Sequence, residues 1–128
     1  MKFPDKDSKQ NDLNSLTDEF IRAAKANAEA TEQGDDKTAN KQNAILKKIF
    51  NNAHTHLDSA QEFYTNLMYN DDLNVKTWAC IHSLALGISV DKAENILSFL
   101  SHKGDTGILR YNAEIALNKW KTQGYLKL

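Results

Sequence analysis

Two histidines separated by one residue are the first groups whose type and spacing could bind a metal ion. His54, Thr55 and His56 are followed by Asp58, and imidazole and carboxylate groups are common zinc ligands. Residues two apart share a face in a strand but lie roughly 200° apart in a helix, and this segment is predicted to be a helix end or a turn. We therefore expect two solvated histidines near a helix boundary, with a metal site as the alternative.

A thiol and an imidazole lie close together further along the chain. Cys80 and His82 have the residue types of a thiolate and its base, but a helix directs them to different sides, and no orienting carboxylate is near in sequence. We expect Cys80 to be packed and unreactive. His82 lies one turn after Trp78, which makes it either a core histidine, the interpretation we favour, or the floor of a groove for a partner.

Paired aspartates at predicted turns could perform acid–base chemistry or cap helices. Asp35-Asp36 and Asp71-Asp72 both directly precede predicted helices, where a carboxylate accepts hydrogen bonds from free N–H groups and meets the positive end of the helix dipole. Capping is therefore the prediction. Because one carboxylate per turn is enough, we expect the second of each pair, Asp36 and Asp72, to be free for a partner.

Catalytic signatures are otherwise absent from the sequence. It has no His-Glu-x-x-His, Glu-x-x-His, Gly-x-Ser-x-Gly or Gly-x-x-x-x-Gly-Lys motif, which argues against the recognisable zinc protease, di-iron, hydrolase and P-loop chemistries. We predict a protein that is not an enzyme, with no catalytic residues, no cofactor and no bound metal.

Composition restricts the class of protein further. The 128 residues carry 16 basic and 17 acidic side chains, a formal charge of -1, so no global positive field attracts nucleic acid or an anionic membrane. No apolar stretch is long enough to span a bilayer, and the polar opening lacks the apolar core of an export signal. With Cys80 as the sole cysteine, a reducing, cytoplasmic compartment is expected.

The elements that must position these residues are helices. One proline and five glycines argue against an all-β fold, and apolar residues recur with a helical period, for example Leu16, Phe20 and Ala24. Leu57 is expected on the buried stripe of the third helix, Gly87 is expected to end the fourth, and Ser89 to cap the fifth. The predicted helices cover roughly residues 15–33, 36–52, 57–69, 73–87, 90–102 and 107–121.

Two segments of the chain align on each other. Residues 71–79 superpose on residues 105–113 at a shift of 34, with acid, branched apolar, cation and alanine coinciding. That order resembles the turn and second helix of a HEAT-type repeat. We predict an all-α fold, a short right-handed α-α superhelix of about three antiparallel helix pairs in one domain over residues 14–128, preceded by a polar arm at 1–13. A plain helical bundle is the alternative. The stack would pair Asp71 with Arg110, or Asp105 with Lys76.

Five motifs, in order, resemble a known family. They are Leu16-x-x-x-Phe20 with Ala23-Ala24; Gly34-Asp35-x-Lys37-x-Ala39-Asn40-Lys41; Val75-Lys76-x-Trp78-Ala79; Ala93-Glu94-x-x-Leu97; and Ala113-Glu114-x-x-Leu117-x-x-Trp120-x-x-Gly124-x-Leu126. The pattern is similar to that of the short bacterial HEAT-like proteins catalogued as domain of unknown function 2019. Asn112 departs from it. The resemblance implies a helical superhelix without established enzymatic activity, and relatives that act as immunity partners of secreted bacterial toxins, as in contact-dependent inhibition systems.

The expected partner is therefore a protein, the C-terminal toxin domain of a secreted effector. A stacked-helix surface can hold a globular partner by shape and charge alone, and many nuclease toxins are basic. In a regular stack the acidic turns would share one edge. The residues predicted to bind the partner are Asp35, Asp36, Asp71, Asp72, Asp105, Tyr111 and Glu114. Trp78 and Trp120 are further aromatic candidates, with core packing as the favoured alternative for both.

A HEAT-like scaffold with another protein partner is the second functional hypothesis, and a nucleic-acid-binding or repair protein is the third. The nucleic-acid hypothesis depends on four lysines of the second predicted helix. Lys37, Lys41 and Lys48 share one face, with Lys47 beside them. They could touch a phosphate backbone, but no aromatic residue is interleaved with them. We expect a solvated face balanced by Glu29 and Glu32, and no specific nucleic acid and no membrane as partners.

Overall fold

The described chain is helical throughout its regular structure. A computed structural model describes residues 10–102 and 107–126, with side chains at 13–102 and 112–126, and this part contains six helices and no strand. The helices are α1 (Gln10–Glu32), α2 (Asp36–Ala53), α3 (Leu57–Leu67), α4 (Leu73–Leu86), α5 (Val90–His102) and α6 (Gly107–Gln123). The prediction of an all-α fold is confirmed. The five later helices begin at the predicted residues, whereas α1 begins at Gln10, earlier than the predicted residue 15.

The chain divides into two compact units, Met1–Phe63 and Tyr64–Leu128, with the boundary inside α3. In the first unit α1 packs against α2. The rings of Phe20 and Phe63 meet edge to face with centroids 5.8 Å apart. The Asn27 side-chain amide donates to the carbonyl of Ala39 at 2.8 Å, which links α1 to the first turns of α2.

The buried side chains of the first unit are aliphatic and aromatic. They are Leu16, Phe20, Ala23, Ala24, Ala30, Leu46, Ile49, Phe50, Ala53, Ala60 and Phe63. Leu57 does not belong to this set, because 45% of its surface is exposed. The expectation that it lies on the buried stripe is therefore wrong. It is the first residue of α3 and lines an open groove at the turn between α2 and α3.

In the second unit α5 packs against both α4 and α6, and α4 also contacts α6. Its core mixes apolar residues with polar ones. The buried polar residues are Thr77, His82, Ser83 and Ser101. The apolar part includes Tyr64, Leu67, Met68, Val75, Ala79, Cys80, Leu84, Ala93, Leu97, Leu100, Ala113, Ala116 and Leu117.

The turn between α4 and α5 contains Gly87 and Ser89. Gly87 has a φ of 74°, and its N–H donates to the carbonyls of Leu84 and Ser83, so α4 ends in the left-handed conformation that favours glycine. Ser89 precedes α5, and its carbonyl accepts from the N–H of Ala93 at 3.0 Å. Its hydroxyl lies 3.0 Å from the hydroxyl of Thr65 in α3.

Candidate functional site

The first acidic turn uses one of its two carboxylates for capping. Asp35 is the N-cap of α2, and its Oδ1 accepts from the backbone N–H of Thr38 at 3.2 Å. The hydrogen bonds with Thr38 hold the pKa of Asp35 below its usual value. Asp36 is the first residue of α2 and is exposed. The prediction of capping is confirmed at this turn, and Asp36 is left with a solvated carboxylate.

At the second acidic turn the capping aspartate and the exposed aspartate are exchanged relative to the prediction. Asp72 is the N-cap of α4, and its Oδ1 accepts from the N–H groups of Asn74 at 2.8 Å and Val75 at 3.1 Å. Asp71 is exposed and has no hydrogen bond or ion pair to the described residues. The expectation that Asp72 is the free carboxylate is therefore wrong, because α4 begins at Leu73 and the residue directly before a helix supplies the cap.

The remaining predicted partner residues fall on or near α6. Glu114 is exposed on this helix. Tyr111 lies within α6, but its side chain is outside the described residues, and so is the whole of Asp105. The predicted pairs of Asp71 with Arg110 and of Asp105 with Lys76 lie outside the described residues for the same reason.

Both tryptophans are half-buried and in contact with polar groups of the second unit. The indole N–H of Trp120 donates to the carboxylate of Glu94, which joins α6 to α5. The ring of Trp78 meets that of His82 edge to face with centroids 5.9 Å apart. The hydrogen bond between Glu94 and Trp120 was not predicted, although both residues belong to the motifs of the resemblance.

The core of the second unit contains His82, which is 1% exposed. Its Nδ1 lies 2.8 Å from the hydroxyl of Tyr64, and the two rings meet edge to face. Burial lowers the pKa of His82 to about 3 and raises that of Tyr64, so both groups are neutral at physiological pH. The core interpretation of His82 is confirmed. Tyr64 was not predicted as its partner, since nothing in the sequence links two residues on different helices.

Cys80 is fully buried in the same helix as His82. Burial raises the pKa of its thiol to about 12, against the weaker opposing effect of Lys76. A thiol with such a pKa is protonated in neutral solution and is neither a nucleophile nor a metal ligand there. The expectation of a packed, unreactive cysteine agrees with this environment.

The histidine segment forms an open groove of about 370 Å³ at the turn between α2 and α3, lined by residues 54–59. His54 is exposed and packs edge to face on Phe50, while Nδ1 of His56 lies 2.9 Å from the Thr55 hydroxyl. Within the described residues, no group of three or more histidine, cysteine, aspartate or glutamate side chains is placed to bind a metal ion.

Aromatic side chains are exposed on the second unit. Tyr69 is 65% exposed and Phe99 is 62% exposed. The ammonium of Lys92 lies 4.3 Å from the centroid of the Tyr69 ring and also donates to its hydroxyl. This contact fixes the ring of Tyr69 next to the first turn of α5. Sequence analysis missed it, because Tyr69 follows α3 and belongs to no helical stripe.

Comparison with known proteins gives no relative for this chain. No protein-family model, no curated protein and no solved structure matches it. No helix in the described ranges is both long enough and apolar enough to cross a membrane. The exposed carboxylates among the predicted partner residues are Asp36 in the first unit, and Asp71 and Glu114 in the second.

Proposed function

We propose that this chain is a protein-binding module, an immunity protein that binds and neutralises the toxic domain of a secreted bacterial effector in the cytoplasm. We also propose that it belongs to the HEAT-like family of unknown function 2019 and acts without catalysis. The observation that carries the proposal is that one aspartate at each acidic turn caps a helix while the other is exposed. Asp35 and Asp72 cap the helices, so the exposed carboxylates of Asp36 and Asp71 are available to a basic partner.

The HEAT-like superhelix is part of this proposal. Its support lies in the second unit, where α4 contacts both α5 and α6. In a solenoid of helix pairs, the second helix of one pair packs against the second helix of the next, which is the relation that α4 and α6 would have. Glu114, on the exposed side of α6, then adds a carboxylate to the surface offered to the partner.

The test begins with the neighbouring genes, among which we expect one that encodes a large secreted protein. Its C-terminal domain is produced alone, and its toxicity is measured with and without co-expression of this chain. We expect the domain to arrest growth, co-expression to restore it, and the purified proteins to form a complex. If the domain is toxic but this chain neither binds it nor restores growth, the proposed function is wrong.

The acidic turns are tested on that complex with charge reversals. We expect Asp36→Lys with Asp71→Lys to slow association about tenfold at low salt and to change dissociation much less, since exposed charges act mainly on encounter. The matched control is Asp58→Lys with Asp91→Lys, which reverses two exposed aspartates in the first turns of α3 and α5. Equal association rates for both variants would show that the partner is held elsewhere, most simply along α6.

A further inference from the structure

After Asp36, every charged residue on the exposed side of α2 is a lysine. The exposed residues of α2 after the first are lysines, asparagines and one alanine, and α2 contains no acidic residue after Asp36. We call this surface the lysine face. It consists of Lys37, Asn40, Lys41, Asn43, Ala44, Lys47, Lys48 and Asn51.

The helix aligns the cations of the lysine face. At 100° per residue, Lys37, Lys41 and Lys48 lie within about 40° of one another around the helix axis. Lys37 and Lys48 are about 16 Å apart along that axis, at a rise of 1.5 Å per residue. Lys47 lies to one side, among the asparagines. Three of the lysines therefore form one row, and Lys47 adds a fourth cation about 80–120° away from them around the helix axis.

No carboxylate neutralises this row within the described residues. None of the four lysine side chains makes an ion pair or hydrogen bond to another described side chain. Glu29 and Glu32, which were expected to balance the lysines, are exposed, and Glu29 accepts instead from the Gln33 amide at 3.5 Å. The positive charge of the lysine face is thus available to an external anion.

The composition of the lysine face distinguishes between kinds of polyanion. Protein interfaces are depleted in lysine at their centres and enriched in aromatic residues, and this face has no aromatic residue. Helices that bind membranes need an apolar side, and Ala44 is the only exposed apolar residue here. Single-stranded nucleic acid is held by stacking on aromatic rings. Lysine and asparagine are, in contrast, common donors to duplex phosphates.

We propose that the lysine face binds the phosphate backbone of double-stranded nucleic acid without sequence preference. This activity goes beyond the protein-binding function proposed above and does not depend on it. Each lysine that neutralises a phosphate releases a counterion, so binding must weaken with salt in proportion to the number of contacts. Four contacts correspond to a slope of about -3.6 in log affinity against log salt concentration, which is a loss of about 150-fold between 50 and 200 mM.

The experiment titrates the full chain into a fluorescein-labelled 20-base-pair DNA duplex and follows anisotropy from 20 to 200 mM NaCl. We expect the wild-type slope to approach the value for four contacts. Lys41→Gln with Lys48→Gln should reduce the slope to about -1.8, so that affinity falls only about 12-fold between 50 and 200 mM salt. Glutamine keeps the helix propensity of lysine, and circular dichroism verifies the fold.

The control removes the same charge from another helix. Lys119→Gln with Lys121→Gln changes two exposed lysines of α6 and should leave the wild-type slope intact. The proposal is overturned if the duplex does not bind at 20 mM salt, or if both double variants lose the same slope. It is also overturned if two unrelated duplex sequences differ tenfold in affinity, or if phosphatidylserine vesicles or polyglutamate bind more tightly than the duplex.

Discussion

The two units of the chain differ in what their cores contain. The buried residues in the described part of Met1–Phe63 are alanines, larger aliphatic residues and phenylalanines. In Tyr64–Leu128, by contrast, the core includes every buried polar residue of the described chain: Thr77, His82, Ser83 and Ser101. Burial of an imidazole is tolerated only in its neutral form, so the second core depends on protonation and the first does not.

The exposed surfaces of the two units also differ, but here the first unit is the more polar one. The first unit presents an uncompensated row of lysines on α2, while the second exposes aromatic rings, including Tyr69 and Phe99. A surface of charges is suited to electrostatic contact, whereas exposed rings next to polar groups are typical of protein contacts. The unit with the purely apolar core thus presents charges on its surface, and the unit with polar groups in its core presents exposed rings.

The largest effect is expected from a change in the apolar core. Phe20 is fully buried and packs edge to face on Phe63, so Phe20→Ala removes an aromatic ring and leaves a cavity. We expect the free energy of unfolding to fall by about 3–5 kcal/mol. Urea unfolding followed by circular dichroism measures it.

The control for this prediction makes the same change on the surface of the second unit. Phe99 is 62% exposed, so Phe99→Ala should cost much less than Phe20→Ala. A loss of similar size at the two positions would contradict the assignment of Phe20 to the core.

The second largest effect is a loss of stability at acidic pH, which arises from His82 in the polar core. The pKa of His82 is lowered to about 3 in the folded chain, whereas an unfolded histidine titrates near 6.5. Below pH 6.5 the unfolded state takes up a proton at this imidazole and the folded state does not, so stability falls as pH falls. The slope is about 1.4 kcal/mol per pH unit, and we expect about 2 kcal/mol to be lost between pH 6.5 and 5.

Unfolding in urea at several pH values measures this slope. His82→Gln should remove it, while His54→Gln, at an exposed histidine, should leave it in place. If His82→Gln does not fold, NMR of the native protein gives the answer, because the His82 ring must remain neutral at pH 5. A protonated ring at that pH would contradict the prediction.

The sequence predicts the helices well because their ends carry local signals. Gly87 ends α4, and five helices begin at the expected residues, since caps and glycines act within one turn. The start of α1 was misplaced, as residues 10–14 carry no apolar period. Contacts between helices could not be predicted. The hydrogen bonds of Tyr64 with His82 and of Trp120 with Glu94 join residues 18 and 26 positions apart, and no local pattern records them.

The identity of the capping aspartates, in contrast, could have been predicted from the sequence. That the two acidic turns cap helices follows from residue type, but which aspartate caps depends on the residue at which the helix begins. A uniform assignment of the first aspartate was correct before α2 and wrong before α4. The start of α4 at Leu73 was predicted correctly, so the wrong assignment of Asp72 came from treating the two turns alike and not from an error in the helix boundary.

The smallest expected effect is the difference in stability between variants of Asp72 and of Asp71. Asp72 accepts two backbone hydrogen bonds at the start of α4, so Asp72→Ala leaves those N–H groups without a side-chain acceptor. We expect a loss of about 1 kcal/mol in the free energy of unfolding, the usual value of an N-cap. Asp71→Ala, one residue earlier, should change it by less than about 0.5 kcal/mol, because that exposed carboxylate makes no hydrogen bond or ion pair with the described residues. Chemical denaturation of both variants in the same buffer measures the difference. Equal losses would show that the cap is shared, and a larger loss for Asp71→Ala would return Asp72 to the role of the free carboxylate.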